Sequence, residues 1–275
     1  YAEGYNETSQ DVLIPAFIAA YSGKNPANST LDAFPKVPKI NWRATYDGLS
    51  KIDAIKKYFK TVTLSHAYRS SYNVGGYTSN MMFIDPDNDG YTAIKEQVSS
   101  VANNPNFISK YQINTVTISE QWSPFIKIDV VLNNSLLINF EYKKDRNVSL
   151  GLTSKTIMEV AGNEIIGGLG YRLRNVSLGK NMKIKGKPIK SDINLKGDIS
   201  FRKNETKMRR IVEETTQSTG GTNIISLKLS ADYVINDRVN IRVFYDRIMN
   251  KPVVSTSFPT TNTNAGLSLR LTLSN

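Results

Sequence analysis

No cysteine occurs in the 275 residues, so neither a disulfide framework nor a thiolate metal centre organises this chain. Histidine occurs once, as His66, which removes every multi-histidine metal site. No apolar run nears the ~18 residues of a membrane helix. The longest, Val12 to Tyr21, is interrupted by Pro15. If a membrane is involved, only a closed β-barrel spans it, because hydrocarbon satisfies no unpaired backbone group. P-loop, dinucleotide-binding, zinc-spacing and nucleophile-elbow motifs are missing as well. The chain opens at Tyr1 without Met, a basic n-region or an apolar h-region. The expectation is a removed signal peptide or a piece of a longer polypeptide.

What the sequence does have is an alternation that holds its phase over long stretches. Ile193, Leu195, Gly197, Ile199 and Phe201 alternate with Asp192, Asn194, Lys196, Asp198, Ser200 and Arg202. A period of two means a strand with one apolar and one wet face. The pattern recurs at 40–46, 62–74, 115–132, 136–145, 164–174, 225–235, 238–246 and 265–273, which makes nine strands. Between Thr115 and Leu132 one register crosses Pro124, so this is one long strand with Pro124 at a bend or bulge. Soluble strands run about five or six residues. Runs of ten to twenty point to a wall with lipid on one side and water on the other.

The two phases differ in kind. The apolar phase carries Trp42, Tyr46, Tyr68, Tyr72, Trp122, Tyr142, Tyr171, Tyr233 and Tyr245, the amphipathic rings of an interfacial girdle. The polar phase carries Arg69, Lys127, Glu141, Lys143, Arg172, Lys196, Asp198, Arg202, Lys228, Asp232, Arg242 and Arg270. A narrow dry bore cannot hold such charges without heavy desolvation, whereas a wide water-filled lumen can. The inverted arrangement, an apolar core with a charged exterior, shares the same alternation. The net charge of +11 raises nucleic acid or acidic lipid as partners. Most cations are spread singly along strands, and nucleic acid is not expected. The dense stretch Lys180 to Lys190 contains Gly186 and Pro188 and reads as a solvated turn.

Tight turns are predicted at Asn133-Asn134 and Asn236-Asp237, and long linkers between Phe201 and Ile225 and between Tyr245 and Ala265. Short turns belong on the periplasmic side of a barrel and long ones outside. An odd count of strands implies a wall completed by strands from elsewhere, since single-chain bacterial barrels use even numbers. Residues 1–39 form a separate piece, a short amphipathic helix over Val12 to Tyr21 and a linker with Pro26, Pro35 and Pro38, placed at the rim or in the lumen. The strands occupy 40–275.

Candidate chemistry is sparse. Asp85, Asp87, Asp89 and Gly90, with Glu96 at the twelfth position, match the spacing of a calcium loop, although Pro86 inside it is unusual. An acidic solvated turn has the same composition. His66 lies near Ser65, Ser70 and Ser71, yet it shares phase with Leu64 and Tyr68 and reads as a wall residue rather than a catalytic base. No enzyme activity is expected. The Asn-x-Ser/Thr triplets at Asn6, Asn28, Asn133, Asn147, Asn175 and Asn204 reflect a chain rich in Asn and Ser.

Four motifs carry a likeness to a known family. They are Asp11-Val-Leu-Ile-Pro-Ala-Phe-Ile-Ala-Ala-Tyr-Ser-Gly-Lys24, Asn41-Trp-Arg43 with Tyr46-Asp-Gly-Leu49, Asn114-Thr-Val-Thr-Ile-Ser-Glu-Gln-Trp-Ser-Pro124, and Ser257-Phe-Pro-Thr-Thr-Asn-Thr-Asn-Ala-Gly266. Together they resemble the C-terminal region of the SprA/Sov family, the giant outer-membrane translocons of type IX secretion, also described as gliding-motility or cell-surface proteins. The likeness covers essentially the whole chain. It implies an all-β fold, the closing strands of a very large transmembrane antiparallel β-barrel in the bacterial outer membrane. It implies export of folded cargo through a wide pore, with the rest of the same polypeptide, a PorV-like partner barrel, a plug protein, secreted cargo and lipid or lipopolysaccharide as partners. It carries over no cargo-contact residue and no cofactor. The chain departs from usual barrel-closing signals by ending Leu271-Thr-Leu-Ser-Asn275, without a final aromatic. The alternative from another class is a self-contained outer-membrane barrel serving as receptor, adhesin or lipase.

Overall fold

The computed structural model describes residues 5–23, 25, 34, 40–88, 92, 107–177, 183–184, 187–188, 191–236, 239–254 and 257–271. Its elements run α1 (Gln10–Ser22), β1 (Trp42–Tyr46), a 3₁₀ turn (Gly48–Lys51), α2 (Asp53–Lys56), β2 (Phe59–Ser79), β3 (Tyr111–Leu132), β4 (Leu136–Gly151) and β5 (Thr156–Val176). They continue with the two-residue strands β6 (Lys183–Ile184) and β7 (Lys187–Pro188), then β8 (Ser191–Arg210), β9 (Thr215–Asn236), β10 (Val239–Pro252) and β11 (Thr260–Leu271). Nine strands form one sheet in the order β1-β2-β3-β4-β5-β8-β9-β10-β11, an antiparallel meander in which chain neighbours are also sheet neighbours. Among the described residues β6 and β7 pair with each other alone. No pairing joins β1 to β11 among the described residues, so the sheet has two edges.

The nine-stranded all-β reading therefore holds. β3 is continuous over 22 residues, and its register against β4 shifts between Trp122 and Ile126, at the cis Ser123-Pro124 bond. The Asn133-Asn134 turn is tight, closed by Ser135 N–H donating to the Leu132 carbonyl at 3.0 Å with Ser135 at φ 70°. Asp237 of the second predicted turn, Asp89 and Glu96 of the calcium spacing, and most of the 180–190 basic stretch lie outside the described residues.

Two expected linkers are corrected. β8 and β9 run past Phe201 and Ile225 to Arg210 and Thr215, leaving four residues between them, and β10 and β11 extend to Pro252 and from Thr260. The physical reason is that hydrophobic alternation marks a strand only where one face is apolar. Beyond Phe201 both faces are polar (Lys203, Asn204, Glu205, Thr206), so the period disappears while the backbone ladder continues pairing, down to Arg210 with Thr215.

α1 starts at Gln10 rather than Val12 and ends at Gly23 in the left-handed conformation, φ 69°, where glycine carries no Cβ penalty. It docks on the apolar face at one end of β3 and β4. Leu13, Ile14 and Phe17 close over Ile113, Val116 and Ile118 of β3 and over Val148, Leu150 and Leu152 at the end of β4, forming the main buried cluster. Polar latches fix the helix. The Gln10 amide donates to the Tyr111 carbonyl at 2.7 Å and accepts from Ile113 N–H at 2.8 Å. Lys155 Nζ donates to the Thr8 carbonyl at 2.5 Å. Arg146 bonds the Glu120 carboxylate and donates to the Tyr21 carbonyl at 3.2 Å.

Two predictions test this docking. Arg146→Ala leaves the Glu120 carboxylate, 11% exposed, without its cation. Helix docking then weakens by about 1–3 kcal/mol, seen as faster tryptic cleavage after Lys24. Burial pushes the Asp11 carboxyl above its ordinary value of 3.8, against hydrogen bonds from Ser109 and Gln10 that lower it. The docked form therefore holds the Asp11 proton more tightly than the undocked one, and docking is strongest below the ordinary value and weakens as pH rises through the raised one. Asp11→Asn removes that dependence, measured as hydrogen-exchange protection of α1 across pH 4–7 after correction for intrinsic rates.

Candidate functional site

Cross-strand register sorts every wall residue onto one of two faces. Leu64, Ile128, Phe140, Gly167, Ile199 and Leu227 stand opposite one another in a single row across six strands. The same face carries Trp42, Ala44 and Tyr46 on β1, Ile193 to Phe201 on β8, Ile225 to Tyr233 on β9, Ile241 to Tyr245 on β10 and Ala265 to Leu271 on β11. All twelve charged residues singled out in the polar phase fall on the opposite face, and all nine aromatics on the apolar one.

The apolar face is uncovered over most of its area. Ile165 is 48% exposed, Phe201 50% and Leu267 69%. Its height follows from strand geometry. Ile193 to Phe201 spans about 26 Å along the strand at ~3.3 Å per residue. The apolar stretch also climbs across the sheet. The row through Leu64 and Leu227 is apolar from β2 to β9 but meets Arg247 on β10, where the apolar residues are Ile241, Val243 and Tyr245. That climb is about three same-face rows, ~20 Å, over six inter-strand steps of ~4.8 Å. The strands thus cross the band at roughly 30–35° and the band stands about 22 Å tall, against the ~35–45° tilt and ~25 Å band of outer-membrane barrels.

Aromatic rings gather at one border of this band. Trp42 lies 4.6 Å from Tyr68, Tyr68 4.9 Å from Trp122, and Lys144 sits 5.7 Å over the Trp122 ring. His66 belongs to this layer. Its Nδ1 pairs with the Phe125 carbonyl at 2.6 Å, and its ring packs between Trp42 and Phe125. Ser65 and Ser71 point to the other face, and Ser70 is buried. Two aromatics do not present to the surroundings as expected. Tyr72 packs against the cluster beneath α1, and Tyr233 is 5% exposed with its hydroxyl donating to the Val176 carbonyl at 3.2 Å.

The charged face is the crowded one. At its centre the Glu164 side chain is 19% exposed and that of Lys143 27%, less than Ile165 on the other face, as on the concave side of a curved wall, whereas Arg172 and Lys196 are 58% exposed. Many of the charges there are paired. Lys127 meets Asp129 at 3.0 Å, Arg172 meets Asp192 at 2.7 Å, Lys196 meets Asp198 at 3.2 Å and Arg242 meets Asp232 at 3.7 Å. A five-member network joins Glu141, Lys143, Glu164, Arg202 and Asp145 over three strands. Arg202 of β8 reaches Asp145 of β4 at 2.9 Å across β5 because the intervening residue is Gly162. A Cβ there would lie 2.7 Å from the Asp145 oxygens and 2.8 Å from the guanidinium. Sequence periodicity placed these residues on one face but carried no signal for Gly162, whose meaning appears only when the flanking strands are aligned. Among the described residues no cluster of three or more His, Asp or Glu side chains is arranged to hold a metal ion.

No protein-family model matches the sequence, and no curated protein matches it either.

Substitution at adjacent residues separates the faces. In a bilayer, Ile199→Arg costs about 2–4 kcal/mol, whereas Ser200→Arg on the charged face stays within about 0.5 kcal/mol. Urea unfolding of the vesicle-inserted full-length protein reads both.

Proposed function

We propose that this chain is a stretch of the wall of a wide outer-membrane β-barrel through which folded proteins leave the cell, the role implied by the resemblance of its motifs to the SprA/Sov translocons. The observation that carries the reading is the two-faced wall: nine antiparallel strands in one meander, an exposed apolar band about 22 Å tall, and an opposite face filled with ion pairs. Charged side chains in such numbers require water beside them, so the concave side is an aqueous passage and the convex side meets acyl chains. Both edges of the sheet carry unpaired backbone groups, which hydrocarbon does not tolerate. The wall therefore continues into further strands of the same polypeptide, and the bore is wider than nine strands alone would enclose.

Pairing of cations with carboxylates along the passage suits transport of folded cargo. Neutralised pairs keep the lining hydrated without offering a strong field of one sign to which a passing protein would adhere. A partner barrel, a plug protein and cargo are the partners this role calls for. The wall residues here act by lining and by exclusion, with no reaction assigned to them.

The absence of cysteine from these 275 residues leaves each introduced thiol unique within this stretch. Single cysteines at Leu195, Leu227 and Leu269 are expected to carry fluorophores quenched by bilayer nitroxides. Cysteines at Lys196 and Lys228 are expected to react with membrane-impermeant maleimide. Leucine positions shielded in a dry interior, with the lysines on the outside, would overturn the wall. Depletion of the full-length protein is expected to strand folded cargo in the periplasm. Undisturbed export with an intact wall would instead favour a self-contained receptor, adhesin or lipase barrel.

A further inference from the structure

One row on the convex face differs from its surroundings. On the side of the apolar band away from the Asn133-Asn134 turn, Lys144, Asn163, Lys203, Asn223 and Lys251 stand opposite one another on β4, β5, β8, β9 and β10, with the exposed Arg247 nearer the band on β10. All five are exposed. Lysine and asparagine alternate strand by strand, so the ammonium groups recur about every 9.6 Å, two strand spacings. Tyr142 O–H donates to Asn163 Oδ1 at 3.2 Å, which leaves the amide hydrogens of Asn163 free to donate outward.

Cations on both faces find carboxylates, Arg146 meeting Glu120 on this one. On the concave face Lys127, Lys143, Arg172, Lys196, Arg202 and Arg242 each meet a carboxylate within 4.0 Å. Of the three lysines in the convex row, only Lys203 has a carboxylate neighbour among the described residues, Glu205 at 3.9 Å, and Glu205 is shared with Lys207 at 3.5 Å. Among the described residues, the strand positions at the opposite border of this face are apolar. Its outward residues are Leu136, Leu173, Ile193, Tyr233 and Val239. Below the lysine row, Ile165, Phe201 and Ile225 lead to an open apolar groove of about 560 Å³ between Tyr171 and Tyr245, floored by Gly197 and Ala231. From Lys203 to Gly197 is ~20 Å along the strand, or about one leaflet of ~15 Å once strand tilt is allowed for.

We infer that the convex row Lys144–Asn163–Lys203–Asn223–Lys251 binds the phosphate groups of an outer-leaflet lipid whose acyl chains lie down the wall into the groove at Gly197 and Ala231. The inference rests on the outer-membrane reading above. Lysine ammonium groups and asparagine amides are donors only toward phosphate oxygens, and cations at a membrane surface draw in anionic headgroups. The apolar floor distinguishes a lipid from free phosphate, which needs no groove.

The test uses the full-length protein in neutral-detergent micelles with fluorescent bisphosphorylated lipid A as probe. The triple variant Lys144→Gln, Lys203→Gln, Lys251→Gln is expected to weaken binding at least tenfold, each surface cation contributing roughly fivefold. The triple variant Lys51→Gln, Lys56→Gln, Lys57→Gln, with the same loss of charge at the turn side, is expected to leave binding within twofold. Inorganic phosphate at excess is expected not to displace the probe, and dephosphorylated lipid A to bind poorly. Equal binding by the first variant, equal loss in both variants, displacement by phosphate, or indifference to dephosphorylation would each overturn the assignment. Nitroxide quenching at Leu195 separates the failures. Quenching retained with no effect of the lysine row sinks only the lipid site, while quenching lost sinks the membrane wall and the site with it.

Discussion

The antiparallel ladder is the constraint on which this molecule depends. Each strand in a meander takes its register from its neighbour, and a slip of one residue would turn every side chain to the wrong face. Here register holds through six consecutive strands without an apolar row losing its phase, from Leu64 to Leu227. The one large irregularity inside the band, at Trp122 to Ile126, adds two residues to β3 rather than one. An even insertion bends the strand and keeps both faces intact, which is why the alternation crosses Pro124 undisturbed.

Ladder geometry also explains how charge is arranged. A curved sheet crowds side chains on its concave side, and crowding lets ion pairs form between strands that are not neighbours. The Arg202–Asp145 contact over Gly162 is the clearest case. On the convex side Arg146 meets Glu120 of the adjacent strand, whereas Lys144, Lys203 and Lys251 have no carboxylate from an adjacent strand within 4.0 Å among the described residues.

Much of this is legible in the sequence. Ile193 to Phe201 and Ile225 to Tyr233 announce their faces by period alone, and the Asn133-Asn134 turn announces itself by composition. The misreadings share a cause. Phe201 to Ile225 looked like a linker because a strand in water on both faces has no apolar phase to detect, yet backbone pairing there is as complete as in the band. Tyr72 looked like a girdle residue because it shares phase with Tyr68, and nothing local says that α1 folds back over it from sixty residues earlier.

Sequence alone determined the two faces of each strand, because side-chain direction alternates with every peptide and needs no partner to do so. Tertiary structure decided everything that joins strands: the oblique path of the apolar band, the cross-strand reach of Arg202, the docking of α1 on the apolar side, and the gathering of lysines from three separate strands into one row. Those relations depend on register and curvature, which belong to the assembled sheet and to no single segment of the chain.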